Sequence, residues 1–400
     1  MTLKTLNFWP PVIVLALLQF THILDFVVIM PLGPQLMREL SLTTAQFGMV
    51  VSSYTLSAAI AGVLGAFMID KFDRKKSLLI SYLGFAIGTL LCGLSSGYLG
   101  LLFARMVTGA FGGVCTSVLM AIIGDIVPEE KRGTAMGLIM SSFSLASIIG
   151  IPIGLYVAYL WGWHIPFIAL GFISLFIIGF IVAFIPSIKD HIVAIKTTRR
   201  HHELRDILLN PAHIKAYLYS VSLIFSGFLI FPFMSPFMVS NMGLPERHLA
   251  TIYLVGGVAT LLTTFLIGML SDRFGKHFMF TLLALSSIAP ILWVTQATLS
   301  PLFLSLIIST VFMVLMSGRM IPAMAMLTLV PSDEHRGGFM SIHSAIQQLA
   351  MSGASFMAGL LIAEGVNGKM LHFDRVGWIA TFFVVLSLLL SRKLVFLQKK

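Results

Sequence analysis

Stretches of about 20 apolar residues, separated by short clusters of charge, recur along all 400 residues of this chain. At ~1.5 Å of rise per residue, one such stretch as a helix crosses the ~30 Å hydrocarbon layer of a bilayer. In lipid every backbone N–H and C=O must be bonded within the protein, which leaves helices or closed barrel strands. Barrel strands alternate polar and apolar residues in segments of about ten. These runs do not alternate, so they read as helices. Only 10% of the residues are charged, against about 25% in soluble domains, too few to clothe a water-facing surface of this size. The first run follows only Lys4 and lacks a small-residue cleavage site, so it reads as an uncleaved span.

The expected spans are 9–32, 46–69, 77–96, 98–124, 134–160, 163–186, 213–239, 249–271, 277–297, 301–330, 338–363 and 376–397. Twelve spans put both termini on one side. With the termini and the loops at 70–76, 128–133, 187–215, 272–277 and 331–337 assigned to the cytoplasm, that side holds 20 of the 26 basic residues. Arg38, Arg247, Lys369 and Arg375 fall outside, and Arg105 and Arg319 lie within spans. This asymmetry orients the chain in an inner (plasma) membrane with cytoplasmic termini. The net charge of +10 then marks anionic lipid as the partner, not nucleic acid. The longest polar segment, 188–210, carries Lys189, Lys196, Arg199, Arg200, His201, His202 and Arg205. No cysteine or carboxylate cluster completes a metal shell there, so neither metal nor cofactor is expected. The expected organisation is a six-helix bundle over 1–187, a cytoplasmic linker over 188–212 and a second bundle over 213–400, acting as a monomer.

The two halves repeat. Asp70-Lys-Phe-Asp-Arg74-Lys75 ends span 2, and Asp272-Arg273-Phe-Gly-Lys276 ends span 8. Pro128-Glu-Glu-Lys-Arg-Gly precedes span 5, and Pro331-Ser-Asp-Glu-His-Arg-Gly precedes span 11. Arg105 and Arg319 mark the fourth span of each half. Matching landmarks at a near-constant offset indicate internal duplication, and two like six-span halves are the plan of transporters that rock around a site near mid-membrane. A carboxylate at a helix end can face the positive N-terminus of another helix. Asp70 would face the start of span 11 near Gly338, and Asp272 the start of span 5 near Thr134. Arg74 is expected within reach of Asp125 at the end of span 4. The span 2–3 and 8–9 loops resemble the Gly-x-x-x-Asp-Arg-x-Gly-Arg-Lys signature of the major facilitator superfamily. The second copy, from Gly268 to Lys276, is the closer; in the first, Ala66, Lys71 and Asp73 replace the first Gly, the first Arg and the turn Gly. The resemblance implies an all-α fold of twelve transmembrane helices in two pseudo-symmetric six-helix bundles. It also implies a cytoplasmic gate at Asp70, Arg74, Lys75, Asp125, Asp272, Arg273 and Lys276. The alternative for these residues is a positive-inside anchor without gating duty.

Three elements bear on coupling. Arg105-Met-Val-Thr-Gly109-Ala-Phe-Gly112-Gly113 in span 4 resembles the superfamily's Arg-x-x-x-Gly pattern. An arginine at membrane depth costs at least about 2.5 kcal/mol, so it must face protein or water, and it either modulates proton transfer or binds backbone carbonyls. Span 5 carries Gly150-Ile-Pro152-Ile-Gly154, which resembles the antiporter motif of the drug:proton antiporter branch. Proline bends the helix, and the glycines are expected to let spans of the two halves pack closely; the alternative is an ordinary kink. Span 1 places Asp25 in an apolar helix with His22 three residues earlier, on the same face. A carboxylic acid there can take up and release protons, as proton coupling requires, and the run resembles the span-1 Asp motif of twelve-helix antiporters. Asp25 lies seventeenth in its span, so a packing role near the outer boundary stays open.

Further polar or aromatic candidates for the central cavity are Gln19, Tyr54, Phe231, Arg319, His343 and Gln347. The 23 methionines and 32 phenylalanines suit promiscuous apolar ligands. No P-loop, His-Glu-x-x-His, Gly-x-Ser-x-Gly or dinucleotide fingerprint is present, so no enzyme activity or primary pump is indicated. Three classes remain: a proton-coupled exporter of small organic molecules, an uptake symporter or facilitator on the same fold, and a non-transporting membrane receptor. The span 5 element favours the first, and the ionisable groups within spans disfavour the third.

Overall fold

Local chemistry sets where the apolar runs begin and end as helices. Asp73 caps span 3, its Oδ1 accepting from the Lys75 amide at 2.9 Å, and Asn210 caps span 7 through the Ala212 amide at 2.9 Å. Prolines occupy the first turns of spans 1 and 7, where an N–H has no helical partner in any case. Gly162 and Gly275, each at φ +95°, stop spans 5 and 8 in a conformation that side chains avoid.

The structure, a computed structural model, describes residues 8–69, 71–188, 207–298, 300–332, 335–365 and 368–398. Spans 1 to 6 are Trp9–Val28, Thr44–Ile69, Arg74–Leu94, Tyr98–Ile126, Glu129–Trp161 and His164–Phe184. Spans 7 to 12 are Pro211–Ser240, Leu249–Phe274, Lys276–Gln296, Leu302–Leu327, Arg336–Leu361 and Phe373–Gln398. Among the described residues, eleven helices are long and apolar enough to cross a bilayer. Span 11 has the length, 26 residues, but is the more polar, carrying His343, Gln347, Gln348 and four serines. Between spans 11 and 12 a two-stranded antiparallel hairpin pairs Ala363–Glu364 with Met370–Leu371.

Several spans are interrupted. Span 1 ends at Val28 and the chain resumes as Gly33–Glu39 beyond Pro31. Span 7 breaks between Phe228 and Phe231, just before Pro232. Those two prolines lie 201 residues apart, so the duplicated halves break at matching points. Span 10 joins Leu302–Gly318 and Met320–Leu327 through Arg319, whose φ −66° and ψ −19° stay helical and whose amide donates to the Leu315 carbonyl at 3.2 Å. Span 5 contains a π turn, Ala146–Gly150, immediately before Pro152.

By contact the chain forms two units, Met1–Ile29 with Ser53–Thr198, and Met30–Ser52 with Arg199–Lys400. In the first, span 3 packs on spans 4 and 6, and span 1 on spans 5 and 6. In the second, span 9 packs on spans 10 and 12, and span 7 on spans 11 and 12. The neighbour relations repeat at a step of six helices, the packing signature of duplication. The first unit's core is aliphatic and aromatic, with Leu15, Leu18, Tyr82, Phe85, Leu119 and Ile181 fully enclosed. Outward side chains such as Leu99, Phe103, Phe265 and Phe303 are more than 60% exposed, an apolar exterior of the kind that lipid covers.

Within the second unit, the segment 30–52 is tied down at its ends and middle. Thr44 donates from Oγ1 to the Ile362 carbonyl (2.7 Å) and from its amide to Glu364 Oε1 (2.8 Å). Gly48 lies against Gly359 so closely that a Cβ would sit 2.9 Å from the Ser355 carbonyl. Phe47 meets Phe233 edge to face at 5.6 Å, and Arg38 forms a two-pronged pair with Glu246. Glu246 holds the Arg38 proton more tightly than usual, chiefly through that hydrogen bond.

Candidate functional site

In the first unit, spans 1, 2 and 4 converge on one charged cluster. Span 4 reaches it by lying directly on span 2: a Cβ on Gly109 would overlap the Tyr54 carbonyl, and one on Gly113 the Ala58 carbonyl. Glycines at this spacing let two backbones touch. The approach carries Arg105 across Tyr54, whose ring lies 4.3 Å beneath the guanidinium carbon. From there Arg105 Nη1 donates to Asp25 Oδ2 at 2.8 Å and to the Asp25 carbonyl at 3.3 Å. Both side chains are 0% exposed. Asp25 therefore sits inside protein, paired with Arg105.

His22, one turn earlier, joins the cluster through Tyr54, whose hydroxyl is 2.9 Å from its Nε2. The imidazole also tilts over Phe85 at 5.5 Å, and Phe26 stacks on Tyr54 at 5.2 Å. Not every polar atom is matched. Asp25 Oδ1, His22 Nδ1, and Arg105 Nε and Nη2 have no hydrogen-bond partner among the described residues, nor does Gln19 Oε1 a turn below. Span 5 supports the other side of span 1. A Cβ on Gly150 would lie 2.8 Å from the Leu24 side chain, and one on Gly154 would lie 3.1 Å from that of Val28. The glycines that flank Pro152 thus grip the residues on either side of Asp25, within one bundle, where the sequence had suggested contact between halves.

The second unit also encloses an arginine, with different partners. Arg319 of span 10 is 1% exposed. Its Nη2 donates to Ser226 Oγ (2.6 Å) and the Leu223 carbonyl (3.5 Å), and its Nη1 to Ser287 Oγ (3.3 Å). Among the described residues Nε has no partner and no carboxylate pairs with the guanidinium. His343 is buried and lies in an aromatic ladder, 6.0 Å from Phe339, which also stacks on Tyr217 at 5.1 Å. Gln347 is partly buried in the same helix. Phe231 meets Phe312 at 5.3 Å. Among the described residues, the hydrogen bonds of Arg319 go to Ser226, Ser287 and Leu223 and not to Phe231, His343 or Gln347.

At the expected cytoplasmic gate, Arg74 Nε donates to Asp125 Oδ2 at 3.3 Å, the pairing anticipated from the motif. Lys75 donates to the Val182 carbonyl at 2.7 Å. Asp272 and Arg273 are exposed at the end of span 8, with Arg273 over the Phe274 ring at 5.4 Å, and Lys276 opens span 9. Asp70 lies outside the described residues, as does most of the linker. The sequence reading missed Ser226 and Ser287. The only signal was register: Ser226 stands 201 residues after Asp25, the offset that relates the two span-breaking prolines.

A family model described as Major Facilitator Superfamily matches residues 15–289 and again 216–399. Two similar proteins are the uncharacterized MFS-type transporters YwfA and YtbD of Bacillus subtilis (strain 168). YwfA is 27% identical over 410 aligned positions, covering 100% of this chain and 95% of that protein. YtbD is 26% identical over 368, covering 90% and 88%. Among solved structures, a D-xylose-proton symporter superposes with a TM-score of 0.78 at 18% identity, over 96% of this chain and 97% of that one. An inward-facing, occupied bacterial homolog of the human lysosomal transporter Spinster superposes at 0.75 and 16%, over 96% of each. At these identities the likeness to the solved structures is one of fold.

Proposed function

The chain belongs to the Major Facilitator Superfamily, and from that premise we propose that it is a proton-coupled exporter of small organic molecules working by alternating access. The observation that carries this reading is the Asp25–Arg105 pair, two enclosed side chains 2.8 Å apart at membrane depth. Such a pair is weak evidence for stability, because desolvation offsets most of its attraction and an apolar pair of similar volume serves as well. Its use is as a switch. A proton placed on Asp25 removes the counter-charge of Arg105 and leaves the guanidinium with the Tyr54 ring and a backbone carbonyl. The tie between spans 1 and 4 then weakens, and release of the proton restores it. His22, linked through Tyr54, lies on the route by which that proton arrives.

Other elements fit the cycle. The grip of Gly150 and Gly154 on Leu24 and Val28 couples any shift of Asp25 to the π turn and Pro152 in span 5. That element is what favours export over uptake. Arg74 with Asp125, together with Asp70, Lys75, Asp272, Arg273 and Lys276, forms the cytoplasmic latch of the same proposal. The protein would act in the inner membrane, as a monomer with both termini in the cytoplasm.

The test is flux into inverted vesicles, using a panel of small fluorescent amphipathic molecules that includes anionic, neutral and cationic members. An imposed proton gradient, acid inside, is expected to drive accumulation of at least one member, and Asp25→Asn to abolish it. Accumulation indifferent to the gradient, or untouched by Asp25→Asn, would defeat the proposal.

A further inference from the structure

The second unit buries a full positive charge that none of its neighbours neutralises. Spans 7, 9, 10 and 11 contain no Asp or Glu, and Asp272 of span 8, which also packs on span 10, is exposed at the end of its helix, so among the described residues no buried carboxylate pairs with Arg319. Arginine stays protonated in any protein setting and carries five N–H donors. Three of those of Arg319 reach neutral oxygens of Ser226, Ser287 and Leu223. Nε is left over among the described residues.

The first unit shows what is absent. There the buried arginine of the fourth span, Arg105, meets a carboxylate on span 1. Here the residue in register with Asp25 is Ser226, and it accepts from Arg319 in the same way. Span 7 loosens just after Ser226, at Leu229–Ile230 before Pro232, while span 10 runs through Arg319 with its helical bonds to Leu315 and Ala323 kept. Loosened helices within the membrane are where many transporters place solute sites. Two more polar groups of span 7 are buried without a hydrogen-bond partner among the described residues, the Tyr219 hydroxyl and Ser220 Oγ, and Tyr219 is within electrostatic reach of Arg319.

We propose that Arg319, Ser226 and Ser287 form a binding site for a carboxylate borne by the transported molecule. This deepens the transport reading and rests on it. The carboxylate takes the place in the second unit that Asp25 holds in the first, pairing with the guanidinium through two parallel N–H···O bonds while the serine hydroxyls turn from the Leu223 and Ala284 carbonyls to donate O–H···O bonds. Solute charge and proton charge are thus received at equivalent points of the two bundles. The site is closed in this conformation, as an alternating-access site is for part of its cycle, and the loosened turn of span 7 before Pro232 provides the hinge.

The experiment measures binding to the purified full-length protein in detergent by thermal shift and calorimetry. The probes are sodium benzoate, sodium acetate and sodium chloride at matched ionic strength. Benzoate is expected to raise the melting temperature of the wild type, and chloride to have no effect beyond ionic strength. Arg319→Gln is expected to weaken benzoate binding about tenfold or more, as loss of a charge-assisted bond does. Ser226→Asp supplies the carboxylate internally, so it should fold well and lose benzoate binding altogether. It keeps the test decisive should Arg319→Gln fold poorly. Benzoate binding that survives Ser226→Asp, or no benzoate binding to the wild type, overturns the proposal, and so does stabilisation by chloride alone, which marks an inorganic anion site. The two readings fail separately. Proton-driven flux confined to neutral or cationic dyes, with no benzoate binding, overturns this site and leaves transport standing. Benzoate binding with the expected variant pattern, and no proton-driven flux of any dye, upholds the site and removes the coupling.

Discussion

Arg105 in span 4 and Arg319 in span 10 are equally enclosed, one in each unit, though they stand 214 residues apart and so out of the 201-residue register of the repeat, and their surroundings differ. Arg105 meets the carboxylate of Asp25; Arg319 meets the hydroxyls of Ser226 and Ser287. Each half buries a cation in its fourth span, and among the described residues only the first supplies a counter-charge. The serines do not depend on the guanidinium, since Ser226 also donates to the Leu223 carbonyl and Ser287 to that of Ala284, each at 2.7 Å. Asp25 has less in reserve: its carboxylate faces the charge of Arg105, with the Thr89 hydroxyl nearby. A buried arginine is therefore an interdependent partner in the first unit and a separable addition in the second.

The largest expected effect comes from making the first unit like the second. Asp25→Ser gives Arg105 a hydroxyl partner, a state Arg319 shows to be compatible with folding. Proton-driven accumulation in inverted vesicles should fall to background while the protein remains folded by size-exclusion chromatography. Retained accumulation would mean that the carboxylate is not the coupling group. Next in size is the contrast between the two arginines. Arg105→Met strands Asp25 and should destabilise by about 3–5 kcal/mol, whereas Arg319→Met strands nothing ionic and should be neutral or stabilising by about 1–4 kcal/mol. Thermal unfolding of the two variants side by side would erase the proposed asymmetry if the losses matched.

A smaller effect separates the helix contacts that aim the two arginines. Gly109 follows Arg105 by four residues and Ala323 follows Arg319 by four. Gly109→Ala forces a methyl group into the Tyr54 carbonyl and should cost about 1–3 kcal/mol through overpacking. Ala323→Gly removes a buried methyl and adds backbone freedom in an eight-residue helix, at about 1 kcal/mol. If melting temperatures order the two the other way, span 4 does not depend on backbone contact with span 2.

The twelve spans could be read from the sequence because length and apolarity are local properties, and charge clusters bounded them to within a few residues. Asp25 and Arg105 were each conspicuous as charges inside apolar runs. Their bond was not readable, because nothing in one dimension reports the distance between spans 1 and 4. Arg74 and Asp125 were easier, both lying at helix ends on the same side. Ser226 and Ser287 were invisible for a different reason: a serine that bonds to its own preceding turn looks, in sequence, the same as one that also receives a guanidinium. The π turn in span 5 left no mark either, since it adds a residue to a helix without changing its composition.

The smallest expected effect concerns the paired loops that follow spans 2 and 8. In the second loop Gly275 turns the chain at φ +95°. In the first, Asp73 occupies that place at φ −56°, ψ 125°, ordinary geometry for any residue, so its side chain and not its backbone explains its presence. Asp73 caps span 3 at the Lys75 amide and also accepts from the Ile188 amide at 3.2 Å and from the Ser187 hydroxyl. It thereby fastens the start of span 3 to the end of span 6. Asp73→Gly restores the family-like residue yet should lower stability by about 1 kcal/mol, the usual worth of a cap and its companion bonds. The ion pair between Arg74 and Asp125 should survive, because its donor is held by span 3 itself. A variant that melts at the wild-type temperature but loses flux would move Asp73 from the scaffold into the latch. A variant that loses both would tie the latch to the span 6 anchor, and the first loop would then differ from the second in purpose as well as in form.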